Sequence, residues 1–159
     1  MTGPLSSSAK RIQDTLASLG AGFEVIELPQ STRSAAEAAA AIGCAVGQIA
    51  KSIVFRTAQS GVPILVIASG ANRIDEARIA ALAGGPIEKA DAGYVREKTG
   101  FAIGGIPPVG HAQPIRTIID EDLLGFDEIW AAAGTPNAVF RLAPAGLLAI
   151  TGGTPSSIK

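Results

Sequence analysis

The chain has 159 residues, of which 47% are hydrophobic and 17% charged, and this composition is typical of one ordered globular domain rather than a disordered segment. Its formal net charge is −1, which excludes the broad basic surface that holds a protein on duplex nucleic acid. We therefore expect any nucleic-acid partner to be contacted over a small area.

No stretch of the sequence predicts a membrane span or a secretion signal. The longest clean apolar run, VPILVIA, is far shorter than the ~20 residues that cross a bilayer. The N-terminus, MTGPLSSSAK, has no apolar core of the ~7–15 residues that a signal peptide needs, and a single cysteine cannot form an internal disulfide. We expect a cytoplasmic protein with one domain over residues 1–159, because no linker or repeat divides the chain.

The first part of the chain predicts two helices separated by a short strand, FEVIELP. The first helix is predicted from serine caps, apolar spacing and a glycine stop at Ser6, Ser7, Ser8, Ile12, Leu16, Leu19 and Gly20. The segment STRSAAEAAAAIG predicts the second helix, because Ser34 and Glu37 form a capping-box pattern and Gly43 follows as a stop.

The rest of the chain predicts a hairpin followed by helices and strands. SIVF and VPILVIA, joined by RTAQSG, are typical of a hairpin. DEARIAALAGG and DAGYVREKTG predict helices, GGIPPVGH a loop, and IRTIID, FDEIWAAAG and TPNAVFRL strands. APAGLLAI predicts a closing helix, and we expect the tail, TGGTPSSIK, to be loose. Because the strands show no regular βαβ alternation, the predicted fold class is mixed α/β, with helices around a central sheet or barrel.

The segment QIAKSIVFR places Lys51 at the start of an apolar run. Side chains alternate across a strand, so Lys51, Ile53 and Phe55 share the face that looks more apolar. The ammonium group either reaches water from the strand end or lies in a concave pocket, where it would bind an anion or stabilise developing negative charge. The periodicity does not choose between these alternatives.

Most familiar catalytic sets are absent from the sequence. One histidine and one cysteine cannot form a zinc cluster, and the carboxylates match no ligand spacing, so we expect no metal and no cofactor. Neither a GxxxxGK[ST] loop nor a GxGxxG after a strand is present. Cys44 is expected to be buried and inert, and His111 is a loop residue that could in principle act as a base.

Two loops combine glycine with proline: GGIPPVG at 104–110 and GTPN at 134–137. This combination makes a rigid turn whose backbone N–H groups can face a ligand at close range. Each loop taken alone is equally compatible with an ordinary turn.

Taken together, QIAKSIVF, REKTGFAIGGIPPVGH, RTIIDEDLLGFDEIWAAAGTPNAVFRL and LLAITGG resemble the YbaK/ProX family of trans-editing aminoacyl-tRNA deacylases, in the family's order and over most of the chain. Related domains occur freestanding and as the insertion domain of bacterial prolyl-tRNA synthetases, and this chain is similar to the freestanding kind. The resemblance implies an α/β fold with a mixed, barrel-like sheet. It also implies hydrolysis of the ester joining a wrong amino acid to the terminal adenosine of tRNA, most often tRNA(Pro).

The resemblance implies a set of site residues as well. The family's near-invariant lysine and the hydroxyl residue after it, its glycine-x-x-x-proline loop and its second glycine-x-proline loop each have a counterpart here. By this correspondence the catalytic residues are Lys51, Gly104, Gly105 and Pro108. The substrate-binding residues are Ser52, Gly134, Pro136 and Asn137.

One departure from the family pattern bears on the substrate. Members that resemble the cysteinyl-tRNA(Pro) deacylase usually carry a basic GGKRG-like loop where this chain has AGTPN. The sequence is more similar to branches that clear alanine and other small residues. Alanine, serine, threonine and cysteine all stay open as the amino acid removed.

An aminoacyl ester is already activated by its α-ammonium group and the neighbouring ribose hydroxyl, so the protein must mainly position it and stabilise the oxyanion, for which backbone N–H donors supply ~3 kcal/mol. We expect Lys51 to bind the phosphate or ribose of the terminal adenosine. We also expect contact with the acceptor end alone, and dependence on prolyl-tRNA synthetase or elongation factor for access to tRNA. The alternatives are a non-catalytic nucleotide or aminoacyl-adenylate binding module on the same fold, and a purely structural interaction protein.

Overall fold

The computed structural model describes residues 5–20 and 22–159; residues 1–4, at the start of the N-terminal segment considered above, and Ala21 lie outside the described residues. Within these ranges five α-helices are present: α1 Ser7–Ser18, α2 Ala35–Ile42, α3 Glu76–Ala83, α4 Ala92–Thr99 and α5 Pro144–Thr151. The same ranges contain eight strands: β1 Val25–Glu27, β2 Ile49–Thr57, β3 Pro63–Ser69, β4 Ile87–Lys89, β5 Arg116–Asp120, β6 Ile129–Ala132, β7 Ala138–Leu142 and β8 Thr154–Ser156. No helix of the described residues is long and apolar enough to cross a bilayer.

Most of the helices begin and end at the residues that the capping patterns predict, whereas α1 ends at Ser18, before the predicted stop at Gly20. Ser6 caps α1, and Ser34 accepts a hydrogen bond from the Glu37 N–H at the start of α2. Glycines with positive φ follow four of the helices, at Gly43, Gly84, Gly100 and Gly152. Leu19 differs from the prediction: it is 51% exposed, because α1 ends at Ser18 before the apolar stripe can continue.

The strands form one sheet in the order β1-β7-β6-β2-β3-β5-β8, with β4 pairing to β2. β2 and β3 form the predicted antiparallel hairpin, whereas β2 with β6, β3 with β5 and β5 with β8 are parallel. The predicted mixed α/β fold with a mixed central sheet is confirmed.

A gap in the sheet lies beside the middle of β2. β3 pairs along one edge of β2 from Ala50 to Arg56. On the opposite edge, β6 pairs with Ile49 and Ala50, and β4 pairs with β2 only from Phe55 onward. No described strand pairs with residues 51–54 on that edge. Unpaired backbone N–H and C=O groups at such an edge can bind whatever fills the space.

Both faces of β2 are covered. Ala50 and Val54 belong to one core cluster, while Phe55 belongs to a second cluster against which Ile53 packs. The two faces are therefore similarly apolar, and strand parity does not set Lys51 apart as the sequence had suggested.

The prediction of a loose tail was wrong. Residues Thr154–Ser156 form β8, which pairs with β5, and Ile158 is fully buried. The Ile158 carbonyl accepts a hydrogen bond of 2.7 Å from the Asp75 N–H, and Lys159 forms an ion pair with Asp122 at 2.8 Å. The tail is short and mostly polar, but its one large apolar residue, Ile158, packs within the second core cluster.

Candidate functional site

A pocket of about 270 Å³ opens at the gap in the sheet, and we call it the first pocket. Its wall comes from the start of α2, the first half of β2, the loop at 103–106 and strands β6 and β7. Five of the residues in this wall are alanines, namely Ala35, Ala38, Ala50, Ala131 and Ala132. The pocket therefore has room for a small group close to the protein backbone.

Lys51 lies in the wall of the first pocket, directly after the last β2 residue that pairs with β6. Its side chain is half-buried, and no ion pair among the described residues involves it. A lysine in a concave site without a carboxylate partner is available to bind an anion. The structure thus favours the pocket alternative for Lys51, while its catalytic role stays a prediction.

Ser52 also lines the first pocket. Its Oγ is the one buried side-chain nitrogen or oxygen atom of the described residues that has no hydrogen-bond partner. Leaving a buried hydroxyl unpaired costs ~1–3 kcal/mol, and such groups call for a functional explanation. This orphaned hydroxyl is an indication of ligand binding that does not depend on any family resemblance.

The two glycine loops singled out in the sequence contact each other. The Gly134 N–H donates to the Gly105 carbonyl at 2.9 Å. A Cβ added to Gly105 would lie 2.8 Å from the Thr135 carbonyl carbon, so this close approach requires glycine. Gly104, with φ +95, lines the first pocket and packs against the aliphatic stem of Arg33.

Few N–H groups of the 104–108 loop remain free for a ligand. Pro107 and Pro108 have none, and the Gly105 N–H is used in a hydrogen bond of 3.1 Å within the loop's own turn. The N–H groups of Gly104 and Ile106 donate to no acceptor among the described residues. Both residues line the first pocket, so they carry the donors that this loop can offer.

Pro136 and Asn137 support the pocket from outside its wall. The Pro136 carbonyl accepts hydrogen bonds from the Thr32 N–H (2.6 Å) and the Thr32 hydroxyl (2.9 Å). The Asn137 amide donates to the carbonyls of Leu28 (3.3 Å) and Gln30 (3.0 Å). These contacts fix Thr32, which does line the first pocket. The structure therefore places Pro136 and Asn137 where they hold a wall segment.

Pro108 and His111 lie together in a separate depression with Thr15 and Ile115. His111 is half-buried, and its Nε2 lies 2.7 Å from the Pro107 carbonyl, which can only accept, so Nε2 carries the proton. Burial lowers the pKa of His111, an effect partly opposed by this hydrogen bond. The imidazole is thus neutral at pH 7, and the structure does not bring it to Lys51.

Cys44 has no role in the first pocket. Burial is the main cause that raises the pKa of its thiol, so the nucleophilic thiolate is scarce at neutral pH. Among the described residues, no three or more histidine, cysteine or carboxylate side chains come together as a metal site.

The sequence reasoning missed two residues of the site. Arg33 is exposed and lines the first pocket, where its stem covers Gly104. The sequence feature that could have indicated Arg33 is its position directly before Ser34, the helix cap. Ile103 is 54% exposed at the pocket rim. The sequence feature that could have indicated it is an apolar residue directly before a glycine pair.

Comparison with known proteins assigns the chain to a family. A family model described as "Aminoacyl-tRNA editing domain" matches residues 29–150. The chain belongs to this family. It is thus an editing-domain enzyme, an aminoacyl-tRNA hydrolase, and the resemblance drawn from the sequence motifs is confirmed.

Individual relatives of this editing domain agree with the assignment. YwhH of Bacillus subtilis (strain 168), described as an uncharacterized protein, is 32% identical over 121 residues, which are 76% of each chain. EbsC of Enterococcus faecalis (strain ATCC 700802 / V583), described as a "Putative Cys-tRNA(Pro)/Cys-tRNA(Cys) deacylase", is 26% identical over 121 residues, 76% of this chain and 73% of its own. A solved structure described as "a putative trans-editing enzyme for prolyl tRNA synthetase" is 52% identical, with a TM-score of 0.93 over 98% of this chain and 99% of its own.

Proposed function

We propose that this editing enzyme acts in trans on mischarged tRNA(Pro) and removes alanine or another small non-cognate amino acid. The observation that carries the proposal is the set of residues that line the first pocket. The Lys51 ammonium has no carboxylate partner, the buried Ser52 hydroxyl has no hydrogen-bond partner, and the N–H groups of Gly104 and Ile106 donate to no acceptor among the described residues. The 52% identical structure described as "a putative trans-editing enzyme for prolyl tRNA synthetase" supports the choice of tRNA.

The free N–H groups of Gly104 and Ile106 suit the tetrahedral oxyanion that forms when water attacks the ester carbonyl. Lys51 binds the phosphate or ribose of the terminal adenosine and so positions that carbonyl. The neighbouring ribose hydroxyl then orients the attacking water, because no histidine or carboxylate of the described residues lines the first pocket to act as a base. A substrate whose terminal adenosine lacks this hydroxyl should react at least ~100-fold more slowly, and reaction at the normal rate would contradict this step.

Proline must be rejected mainly by shape. A missing or additional methylene changes binding by only ~1–3 kcal/mol through attraction, whereas a rigid wall that clashes discriminates more strongly. The alanine-lined wall of the first pocket supplies such a surface. Alanine, serine, threonine and cysteine are all small enough to compete for the space, and cysteine is included because EbsC is described as a Cys-tRNA deacylase.

The test is a deacylation panel with tRNA(Pro) carrying alanine, serine, threonine, cysteine or proline in turn. We expect rapid release of alanine, slower release of at least one other small residue, and no release of proline. Release of proline at a comparable rate would refute the steric argument. Tight binding of aminoacyl-tRNA without any turnover would instead favour the non-catalytic binding module. Addition of prolyl-tRNA synthetase or elongation factor to the same assay tests whether a partner assists access to tRNA.

A further inference from the structure

A second pocket adjoins the first and is not used by the ester chemistry. It has a volume of about 360 Å³ and extends along β2 from Lys51 towards β4, within the range of small-molecule sites. Its floor is apolar, formed by Ile53, Phe55, Ile74 and Val95. The two pockets share the residues that stand between them, Lys51, Ser52, Ile53, Ile103 and Ile106.

The cations without carboxylate partners are concentrated at these two pockets. Of the 13 lysine and arginine residues, six form ion pairs with carboxylates: Lys10, Arg56, Arg78, Lys98, Arg141 and Lys159. None of these six lines either pocket. Four of the other seven do, namely Arg33, Lys51, Arg73 and Lys89.

The charge balance within the pockets is strongly positive although the chain as a whole carries −1. The first pocket is lined by Arg33 and Lys51 with no carboxylate in its wall. The second is lined by Lys51, Arg73 and Lys89 against a single carboxylate, Glu76. An apolar floor with a cationic rim matches a flat base joined to a phosphate, which is how single-stranded nucleic acid is bound.

We propose that the second pocket binds the nucleotide that precedes the aminoacylated adenosine, an inference that rests on the proposed function. The aminoacyl ester of the terminal adenosine lies in the first pocket, which Gly104 and Ile106 line. Lys51, which lines both pockets, contacts the phosphate that joins the two nucleotides. Arg73 and Lys89 contact the next phosphate towards the 5′ side, and the exposed Ile103 packs against a base.

The spacing of the cations is consistent with one nucleotide between them. Lys89 lies opposite Phe55 in the pairing of β4 with β2. Phe55 is four positions along β2 from Lys51, which at ~3.3 Å per residue places the two lysine backbones ~13 Å apart along the strand. Because directly paired residues share a face of the sheet, as do residues four apart on one strand, Lys51 and Lys89 lie on the same face, and their long flexible side chains can contact successive phosphates of an extended strand.

The first test measures binding of a labelled single-stranded RNA that ends in CCA and carries no amino acid, at several salt concentrations. The double variant Arg73→Ala/Lys89→Ala is compared with Lys10→Ala/Arg141→Ala, which removes the same two residue types and the same charge from ion-paired surface positions. Because each neutralised phosphate of a single strand contributes ~0.7 to the logarithmic salt slope, and Arg73 and Lys89 share one phosphate, the pocket variant should lose a slope of ~0.7 and bind about fivefold more weakly at 0.1 M salt. Equal affinities and slopes for the two double variants would overturn the proposal.

The second test compares hydrolysis of alanyl-tRNA(Pro) with that of alanyl-adenosine, which has no preceding nucleotide. The Arg73→Ala/Lys89→Ala variant should lose about fivefold more kcat/KM on the tRNA than on alanyl-adenosine at 0.1 M salt, mainly through KM. Equal losses on both substrates would overturn the assignment, because the two residues would then act on the first pocket or on folding. If the wild-type protein hydrolyses neither substrate, the proposed function fails, whereas the RNA-binding test still decides the second pocket.

Discussion

The carbonyl of Gly105 accepts a hydrogen bond from the N–H of Gly134 at 2.9 Å, which ties together two loops that are far apart in the chain. The Thr135 backbone fills the space where a Gly105 side chain would lie. The loop that carries the free N–H donors therefore has its position fixed by the second glycine loop, although Gly134 itself is not a wall residue of the first pocket.

Gly105→Ala should damage this arrangement. Its Cβ would overlap the Thr135 backbone, which cannot rotate away, so we expect a loss of ~1–3 kcal/mol in stability and a marked fall in deacylation. Gly125→Ala is the control, because a Cβ there meets nothing within 4 Å and its φ is not positive. Urea unfolding and deacylation rates measure both effects, and equal results for the two variants would refute the close-approach argument.

Lys51→Ala should abolish most deacylation in a folded protein. The side chain is half-buried and has no ion-pair partner whose charge would be left unpaired, so the expected change in stability is small. We expect kcat/KM to fall at least ~100-fold, since an ammonium that positions the substrate is lost. Near-normal kcat/KM in a variant with a wild-type melting temperature would remove Lys51 from the site.

Ser52→Ala should change stability and activity in opposite directions. Removing the orphaned Oγ relieves a buried, unpaired polar group, so stability should stay level or rise by up to ~1 kcal/mol, while activity falls. Ser69→Ala is a matched control: its buried Oγ donates to the Gly47 carbonyl at 2.7 Å, and its loss should cost ~1–3 kcal/mol. A destabilised Ser52→Ala variant would show that the hydroxyl has a partner in solution.

His111 should make the fold less stable at acidic pH. Its pKa in the fold is lowered from the ordinary value of 6.5, chiefly by burial, so the unfolded chain binds the proton more readily. The contribution to stability is therefore complete above pH ~6.5 and is lost as the pH falls through the lowered value. His111→Gln, which keeps a donor for the Pro107 carbonyl, should show a flatter decline in unfolding free energy between pH 7.5 and 5. An equally steep decline would contradict this assignment.

Ile158→Ala tests the anchoring of the tail. The side chain is fully buried in the second core cluster, so its truncation should cost ~2–5 kcal/mol. Lys159→Ala removes only an exposed ion pair with Asp122 and should cost ~0–1 kcal/mol. Thermal unfolding distinguishes the two, and a small effect of Ile158→Ala would mean that the tail is loose after all.

Most of the fold prediction rested on sequence patterns between residues that are near neighbours in the chain. Ser34 with Glu37, and the glycines that end four helices, mark boundaries through hydrogen bonds between near neighbours, so the sequence alone reveals them. β8 escaped prediction because its pairing with β5 is long-range and its composition is that of a turn. β4 escaped because three residues, Ile87–Lys89, are too few to show a period.

The sequence indicated individual residues of the candidate site, but it did not indicate how the fold brings them together. Lys51 and the glycine loops stood out as residue types, but the gap in the sheet that gathers them depends on where β6 and β4 stop pairing with β2. Arg33 and Arg73 reach the pockets from segments that look like ordinary surface in the sequence. Long-range strand pairing decides these positions, and periodicity carries no information about it.

The alanine wall of the first pocket has no rotamers. A leucine or methionine wall can change its shape by rotating side chains, whereas the methyl groups of Ala35, Ala38, Ala131 and Ala132 move only with their backbone. Admitting a larger residue on the side of these alanines therefore means displacing a helix or a strand, which close packing resists. The shape of this part of the pocket is consequently a property of the backbone, set when the chain folds and before any substrate arrives.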